Sequence, residues 1–368
     1  MGKKIGLVTA PFGAAGLIPV SNMIDVLLEI SPDLSIINGN EVNALAHSKF
    51  KFLPCRDRSI VFATLCYLYG QLLTGSQLFK ESKHVHTWIF FFGGERMILP
   101  ILLAKCLRKH VTICCTGSTV KSAEFSKNPF LVPVTILANI CFSLANNIVL
   151  YSSTLIDGWG LERYRHKILI AHEHFLDFET FTVTTPLADR SPLIGYIGRL
   201  SGEKGVQHFA QALPAILSDR RDLRVLIGGD GDLKEAVEAC LQEQGVTTRV
   251  DLPGWISHDD LPGYLNQLRL LVLPSYTEGL PNIMLEAMAC GTQVLATPVG
   301  VIPDVIIDGK TGFIMGNNSP ECIAENVIRA LASPDLEEIA ENGRRFVEEN
   351  FTFEKTVENW KKILQSIE

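Results

Sequence analysis

A chain of 368 residues with 47% hydrophobic and 20% charged residues holds enough apolar material for two cores, which excludes a disordered or low-complexity chain. Its formal net charge of −7 argues against a nucleic-acid partner, because phosphate-backbone binders carry a basic surplus. Nine scattered cysteines (Cys55, Cys66, Cys106, Cys114, Cys115, Cys141, Cys240, Cys290, Cys322) form no CxxC pair, which points to free thiols in a reducing cytosol rather than a zinc or disulfide framework.

The start, MGKKIGLVTAPFG, reads as a strand over 5–9 and a loop, without the long apolar core of a signal peptide. Met1-Gly2 makes no myristoylation signal, since Gly6 stands where Ser or Thr is expected. The Gly-rich loop 11–16 follows, ending at Gly16, and 19–28 reads as a helix. The loop is not G-x-G-x-x-G, so it carries no dinucleotide fingerprint. A second strand is expected at 35–37. Two long stretches then lack charge, 59–79 and 129–153, and a bilayer span needs ~20 such residues. Gly70, Gln71, Gly75 and Gln77 interrupt the first, and Pro129, Pro133, Asn139, Asn146 and Asn147 interrupt the second. Each is expected to hold a helix of the first domain rather than a span. Arg56 and Arg58 precede the first stretch, and Lys121 and Lys127 the second. Apolar surface edged by bases is the pattern of a helix lying on a membrane, and an ordinary buried helix fits the same residues.

Residues 87–92, TWIFFF, read as a buried strand with Gly93, Gly94 and Glu95 at its carboxyl end. Ligands of open α/β sheets gather at such ends, so these three are candidate ligand-binding residues beside the plainer reading of a turn. A helix over 97–107 and a strand over 111–115 lead to Thr116-Gly117-Ser118-Thr119. Strands over 147–152 and 168–171 complete the first domain, followed by His172-Glu173-His174. Two such histidines leave a zinc site incomplete, so no metal is expected. His172, His174 and Thr116 remain candidate ligand-binding residues. The Thr- and Pro-rich stretch TFTVTTPLADRSP, 180–192, reads as an interdomain linker.

The second half opens with a strand over 193–197, the loop GRLSGEKG over 198–205 and a helix over 206–217. Two fixed positive charges before a helix suit a diphosphate, Arg199 by forking onto two oxygens and Lys204 as a point charge. A solvated loop with a local Glu203 pair is the plain alternative. A strand over 224–227, the loop Gly228-Gly229-Asp230-Gly231-Asp232, a strand over 250–252 and Gly254-Trp255-Ile256 come next. The apolar run LVLP, 271–274, reads as a core strand, 275–279 as a loop, and 281–291 as a helix stopped by Gly291. A helix start at the carboxyl end of a strand is an anion site. Glu278 and Glu286 bracket this one with seven residues between them, and carboxylates accept hydrogen bonds from hydroxyls. The joint reading is a ligand with both phosphates and hydroxyls, beside the plain reading of a structural strand–turn–helix with two solvated acids. A strand over 294–297, the segment 300–304, a tight turn over 308–313 and a final helix over 350–368 close the chain. Phe353, Val357, Trp360 and Ile363 share one side of that helix.

Gly-Leu-Pro after Glu278, Glu-Ala-Met-Ala-Cys-Gly from Glu286, and GRLSGEKG together resemble the nucleotide-sugar site of glycosyltransferase family four. The resemblance runs over 193–368 and, with more departures, over 5–170. It implies an α/β protein of GT-B fold, with two Rossmann-like doubly wound domains facing across a cleft and a C-terminal helix returning to the first. The expected parts are an acceptor domain over 1–180, with Gly93, Gly94, Glu95, Thr116, His172 and His174 as its acceptor candidates, a linker over 181–192, a nucleotide-sugar domain over 193–349 and the returning helix over 350–368. The resemblance also implies retaining transfer without metal or cofactor. Glu278, Arg199 and Lys204 become the catalytic candidates. Arg199, Lys204 and the helix start at Leu280, Pro281 and Asn282 would neutralise the departing diphosphate. Glu278 would hold the transferred sugar, and Glu286 the ribose. Gly16, Gly198, Gly229, Asp230 and Gly279 would line the rest of the donor. The base would rest near Trp255 and Ile256, with stacking on the indole and backbone contact at Ile256 equally consistent, and a core Trp the plain alternative. The chain departs from the family at 116–119, where many members place a His, and at His172-Glu173-His174, where Asn-Gly-Val-Asp is usual.

The expectation is therefore a retaining, hexosyltransferase-type enzyme moving a sugar from a UDP- or GDP-sugar to a lipid-linked or other glycan. It would be cytoplasmic, peripheral on the cytosolic membrane face. A sugar-nucleotide epimerase of the same architecture and a non-catalytic sugar-nucleotide-binding protein are the alternatives. A donor epimerised without acceptor would favour the first, and binding without transfer or hydrolysis the second.

Overall fold

The structure is a computed structural model and describes residues 4–12, 16–38 and 60–367. Cys55, Arg56, Arg58, the Met1-Gly2 start and the middle of the 11–16 loop lie outside the described residues. In chain order the first half runs β1 (Lys4–Thr9), α1 (Leu17–Ile30), β2 (Ser35–Asn38), α2 (Ile60–Glu81), β3 (Val85–Phe91), α3 (Ile98–Cys106), β4 (His110–Cys114), α4 (Thr119–Phe125), α5 (Leu131–Leu144), β5 (Asn147–Leu150), α6 (Thr154–Gly158) and β6 (Ile168–Ile170). The second half runs β7 (Leu193–Ile197), α7 (Val206–Asp219), β8 (Arg224–Gly228), α8 (Lys234–Glu243), β9 (Val250–Gly254), α9 (Leu261–Leu265), β10 (Leu270–Leu273), α10 (Asn282–Ala289), β11 (Gln293–Ala296), α11 (Ile302–Val305), β12 (Phe313–Ile314), α12 (Pro320–Leu331), α13 (Leu336–Asn350) and α14 (Phe353–Ser366). The chain divides into two compact units, Met1–His174 with Phe353–Glu368, and Phe175–Thr352.

In the first unit the strands pair in parallel, in the order β2-β1-β3-β4-β5-β6. Parallel neighbours need a crossover, and the intervening helices supply it. β3 lies inside the sheet, which is why Trp88, Ile89, Phe90 and Phe91 are all fully buried and its sequence shows no alternation. The uncharged stretches give α2 and α5, and no helix among the described residues is long and apolar enough to cross a membrane. α14 returns to this unit and packs on α1. Its Val357, Trp360 and Ile363 are buried, Trp360 Nε1 donates to His172 O at 3.0 Å, and Thr356 Oγ1 donates to His174 O at 2.9 Å. The helix starts at Phe353 rather than 350 because Asn350 closes α13.

The second unit has a parallel sheet in the order β12-β11-β10-β7-β8-β9. Its core gathers Phe209, Leu213 and Ile216 of α7 against Ile194, Val225, Ile227 and Val272 of the sheet. Each such side chain contributes about 1.5–3 kcal/mol on burial. Residues 181–192 lie within this unit. Arg190, 4% exposed, donates to the carbonyls of Thr185, Leu265, Leu268 and Cys290 and to Thr292 Oγ1. Asn266 Oδ1 accepts from the backbone N–H groups of Thr184 and Thr185. A guanidinium carries five N–H donors, so this one buried side chain ties the segment to the α9 and α10 ends.

Candidate functional site

In an open parallel sheet the ligand crevice lies at the carboxyl ends of the strands, where the strand order reverses. In the second unit that point is β7 beside β10. The loop after β7 is GRLSGEKG, and the loop after β10 holds Glu278. Tyr276 N donates to Glu203 O at 2.9 Å, joining the two loops. Gly205 sits at φ 69°, and a Cβ there would lie 2.0 Å from Pro274 O, so only glycine lets the loops approach this closely. Gly205 and Pro281 are the N-caps of α7 and α10, and neither helix has a side-chain cap. Two helix starts therefore meet at the crevice with their first-turn N–H groups uncapped by side chains, an arrangement suited to an anion.

Lys204 Nζ donates to both carboxylate oxygens of Glu278, at 2.7 and 2.8 Å. Ser275 Oγ also donates to Glu278 Oε1, at 2.7 Å. The Glu278 side chain is 8% exposed and that of Lys204 is 28% exposed. Thr297 Oγ1 donates to Ser275 O at 2.6 Å, and Val301 N donates to Gly279 O at 3.0 Å, so the β11 side braces the Glu278 loop. Arg199 is more exposed, and among the described residues its guanidinium pairs with Glu203, at 3.5 Å. Glu286, buried in α10, lies 3.2 Å from His258 Nε2. The hydrogen bond to Glu286 raises the His258 imidazole above its usual range. Ile256 packs beside Gly228, Gly198 N donates to Gly228 O at 3.0 Å, and Gly229 N donates to Gly254 O at 2.7 Å. Asp230 O accepts from Leu200 N at 2.9 Å. Trp255 is 69% exposed and is no core residue.

The loops carrying Gly198, Arg199, Lys204, Glu278, Gly279, Leu280, Pro281 and Asn282 thus meet at the β7–β10 reversal, with Gly229, Asp230 and Ile256 on the neighbouring β8 and β9 ends. Gly16 belongs to the first unit, where a Cβ would lie 2.8 Å from the Phe12 ring. That unit reverses its strand order between β1 and β3, and Ala10 N donates to Phe92 O there at 3.1 Å. Gly93, at φ 83°, and Gly94 follow β3, and the buried Glu95 accepts from the Thr119 hydroxyl. A cavity of about 100 Å³ opens beside them, with Ser118, Asn139, Phe142 and Trp159 in its wall. Thr116 does not line it. His172 and His174 flank Glu173, which is 1% exposed and accepts from Tyr151 OH at 2.6 Å. Burial pushes the Glu173 carboxyl up to about 7 and the His172 imidazole down to about 4. The His174 ring is buried against Tyr151. No group of three His, Cys, Asp or Glu with metal-site geometry occurs among the described residues.

Ser275, Thr297 and His258 escape sequence reasoning. Each is a single polar residue in a loop or at a strand end, with no spacing to mark it. Only what they meet in the fold, Glu278 for Ser275, the Ser275 carbonyl for Thr297 and Glu286 for His258, would direct attention to them.

Residues 177–346 match the family model described as Glycosyl transferases group 1, a match confined to the second unit. Alpha-D-kanosaminyltransferase of Streptomyces kanamyceticus is 31% identical over 187 residues, 49% of this chain and 48% of the relative. The 2-deoxystreptamine glucosyltransferase of the same organism is 33% identical over 143 residues, 39% of this chain and 37% of the relative. The chain thus spans about half or less of the length of these curated relatives. Among solved structures, Anabaena HepE in complex with UDP and glucose superposes with a TM-score of 0.78 at 14% identity, covering 99% of this chain and all of that one. Sucrose-phosphate synthase from Thermosynechococcus elongatus superposes with a TM-score of 0.79 at 17% identity, covering 100% and 99%. At such identities the likeness speaks for the fold: the chain has the GT-B fold, built from two Rossmann-like parallel sheets.

Proposed function

We propose that the chain is a retaining glycosyltransferase that moves a sugar from a nucleoside-diphosphate donor, a UDP- or GDP-sugar, to a hydroxyl acceptor. The observation that carries this reading is the meeting of Lys204 with Glu278 at the β7–β10 reversal, between two helix starts without side-chain caps. The match to group 1 glycosyl transferases over the same unit supports it, as do relatives named as sugar transferases. Those names favour transfer over epimerisation or binding alone.

On donor binding, Lys204 exchanges the Glu278 carboxylate for phosphate oxygens, and Arg199 closes on the same diphosphate. The first-turn N–H groups of α10 add to the positive field. Glu278 is then available to accept from hydroxyls of the transferred sugar and to steady the positive charge that develops at its anomeric carbon. The bond from that carbon to the diphosphate oxygen breaks, with its electron pair leaving on the phosphate. The acceptor oxygen bonds to the carbon on the same face, and its proton passes to the departing phosphate oxygen. Glu286 holds the ribose hydroxyls. These residues carry the charge balance without a metal. The acceptor, a lipid-linked sugar or another glycan at the cytosolic face of a membrane, belongs to the first unit, where Gly93, Gly94 and Glu95 stand at the sheet reversal.

The test is a screen of UDP- and GDP-sugars for thermal stabilisation and slow hydrolysis, repeated with Lys204→Ala. One donor class is expected to raise the melting temperature and to be hydrolysed with retention at the anomeric carbon, and Lys204→Ala should lose most of that turnover. Full activity in Lys204→Ala would refute the diphosphate role.

A further inference from the structure

A helix in water turns its apolar stripe to the core. α2 departs from this. Its side against the protein is mostly small or polar, with Gly70, Gln71, Thr74 and Gly75 beside the buried Leu78, and Gln71 is bonded to Arg96 O at 2.7 Å and to Leu99 N at 3.1 Å. Its outer side carries Leu65, Leu68, Leu72 and Phe79, spaced along one helix face, and Leu72 is 63% exposed. α5 has no charged residue and exposes Val132, Ile136 and Ile140. α2 packs on α3, and α3 on α5, so the stripes share one surface, with the exposed Leu102 of α3 between them. By helix rise and spacing the surface measures ~20 Å by ~20 Å, as large as the biggest apolar patches of ordinary monomers, which are commonly functional.

Charge selects the occupant. Residues 60–145, which hold these helices, carry eight Lys and Arg against three Glu, in a chain of net charge −7. One of the three, Glu95, is buried. Cations stand where the helices run out: Lys80 and Lys83 at the end of α2, Arg108 and Lys109 after α3, and Lys127 between α4 and α5. Anionic headgroups would satisfy this rim while acyl chains meet the stripes. A second copy docked face to face would set two cationic rims against each other. No described helix is both long and apolar enough to cross, which suits a surface that lies on a bilayer.

We infer that α2, α3 and α5 form a docking face that seats the first unit on an anionic lipid surface, and so holds the enzyme where lipid-linked acceptors reside. The purpose named in that last clause rests on the glycosyltransferase reading; the docking itself does not. The experiment is sedimentation of the full chain with vesicles of phosphatidylcholine, alone or with one quarter phosphatidylglycerol, at low and high salt. The wild type should pellet with the anionic vesicles at low salt. The double variant Leu72→Glu/Ile136→Glu, whose two positions are more than half exposed and so tolerate charge, should bind at least tenfold less with an unchanged melting curve. Lys127→Glu/Arg108→Glu should weaken binding at low salt and flatten the salt dependence. A wild type that stays in the supernatant with every vesicle overturns the inference. So does a dimer that the Leu72→Glu/Ile136→Glu variant dissociates while vesicles go unbound. Donor hydrolysis, read on the same samples, reports on the transferase reading alone, so each can fail without the other.

Discussion

Glu278→Gln separates the two roles proposed for the Lys204–Glu278 pair. Lys204 is held by a carboxylate that is 8% exposed, and under the proposed function it leaves that partner to meet a diphosphate. Exposed ion pairs contribute about 0–1 kcal/mol, and breaking a buried one costs about 3–5 kcal/mol. With Lys204 28% exposed, this pair falls between, at about 2 kcal/mol. Gln keeps the shape and one acceptor for Ser275 and Lys204, so about half of that hold is released. A nucleoside diphosphate without sugar should then bind Glu278→Gln about fivefold tighter than wild type, since about 1.4 kcal/mol is tenfold. Turnover of the sugar donor should fall at the same time, because the carboxylate proposed to steady the sugar is gone. Lys204→Met goes the other way. It should weaken diphosphate binding tenfold or more and leave Glu278 buried with Ser275 as its remaining donor, lowering the melting temperature by about 4–8 °C. Calorimetric titration with UDP and GDP, beside donor hydrolysis, reads each quantity. Unchanged nucleotide affinity in both variants would refute the claim that Lys204 moves between carboxylate and phosphate.

Three further outcomes follow from the same geometry. His258 is raised by its bond to Glu286, so the stabilisation it brings is complete below its unfolded value of 6.5 and is lost as pH rises through the higher folded value. The melting gap between wild type and His258→Gln should therefore be widest near pH 5.5 and close towards pH 8.5. Burial raises Glu173 from 4.5 to about 7, so the folded state holds the extra proton and wild type loses stability across that window. Glu173→Gln should gain on wild type between pH 4.5 and 7 and keep that gain above it; parallel melting curves against pH would contradict the buried acid. Gly205→Ala puts a Cβ at φ 69° and 2.0 Å from Pro274 O, and should cost about 1–3 kcal/mol in urea unfolding while weakening nucleotide binding.

Much of the second unit was legible because its signals are local. GRLSGEKG and the Glu278 loop each follow a compact apolar strand and precede a helix, and the structure places both at strand ends as expected. The segment 181–192 reads as a linker because Thr and Pro content says nothing of the five acceptors around Arg190, which lie from 5 to 102 residues away. The uncharged stretches could be read as helices, but not which side of each faces out. In α2 the buried side takes in Gln71 and Thr74 beside Leu78, and the inward place of Gln71 depends on Arg96 and Leu99 across the α2–α3 contact.

Sequence by itself determined the alternation of strand and helix, the glycines and charges of the phosphate-type loop, and the two glutamates around one helix start. These rest on backbone geometry and spacing, which reach only a few residues along the chain. Tertiary structure alone decided that β10 lies against β7, so that Lys204 meets Glu278 across 74 residues and His258 meets Glu286 across 28. Strand order in a parallel sheet is a long-range choice made by packing the whole core, and no periodicity in the chain encodes which carboxylate a given cation will find.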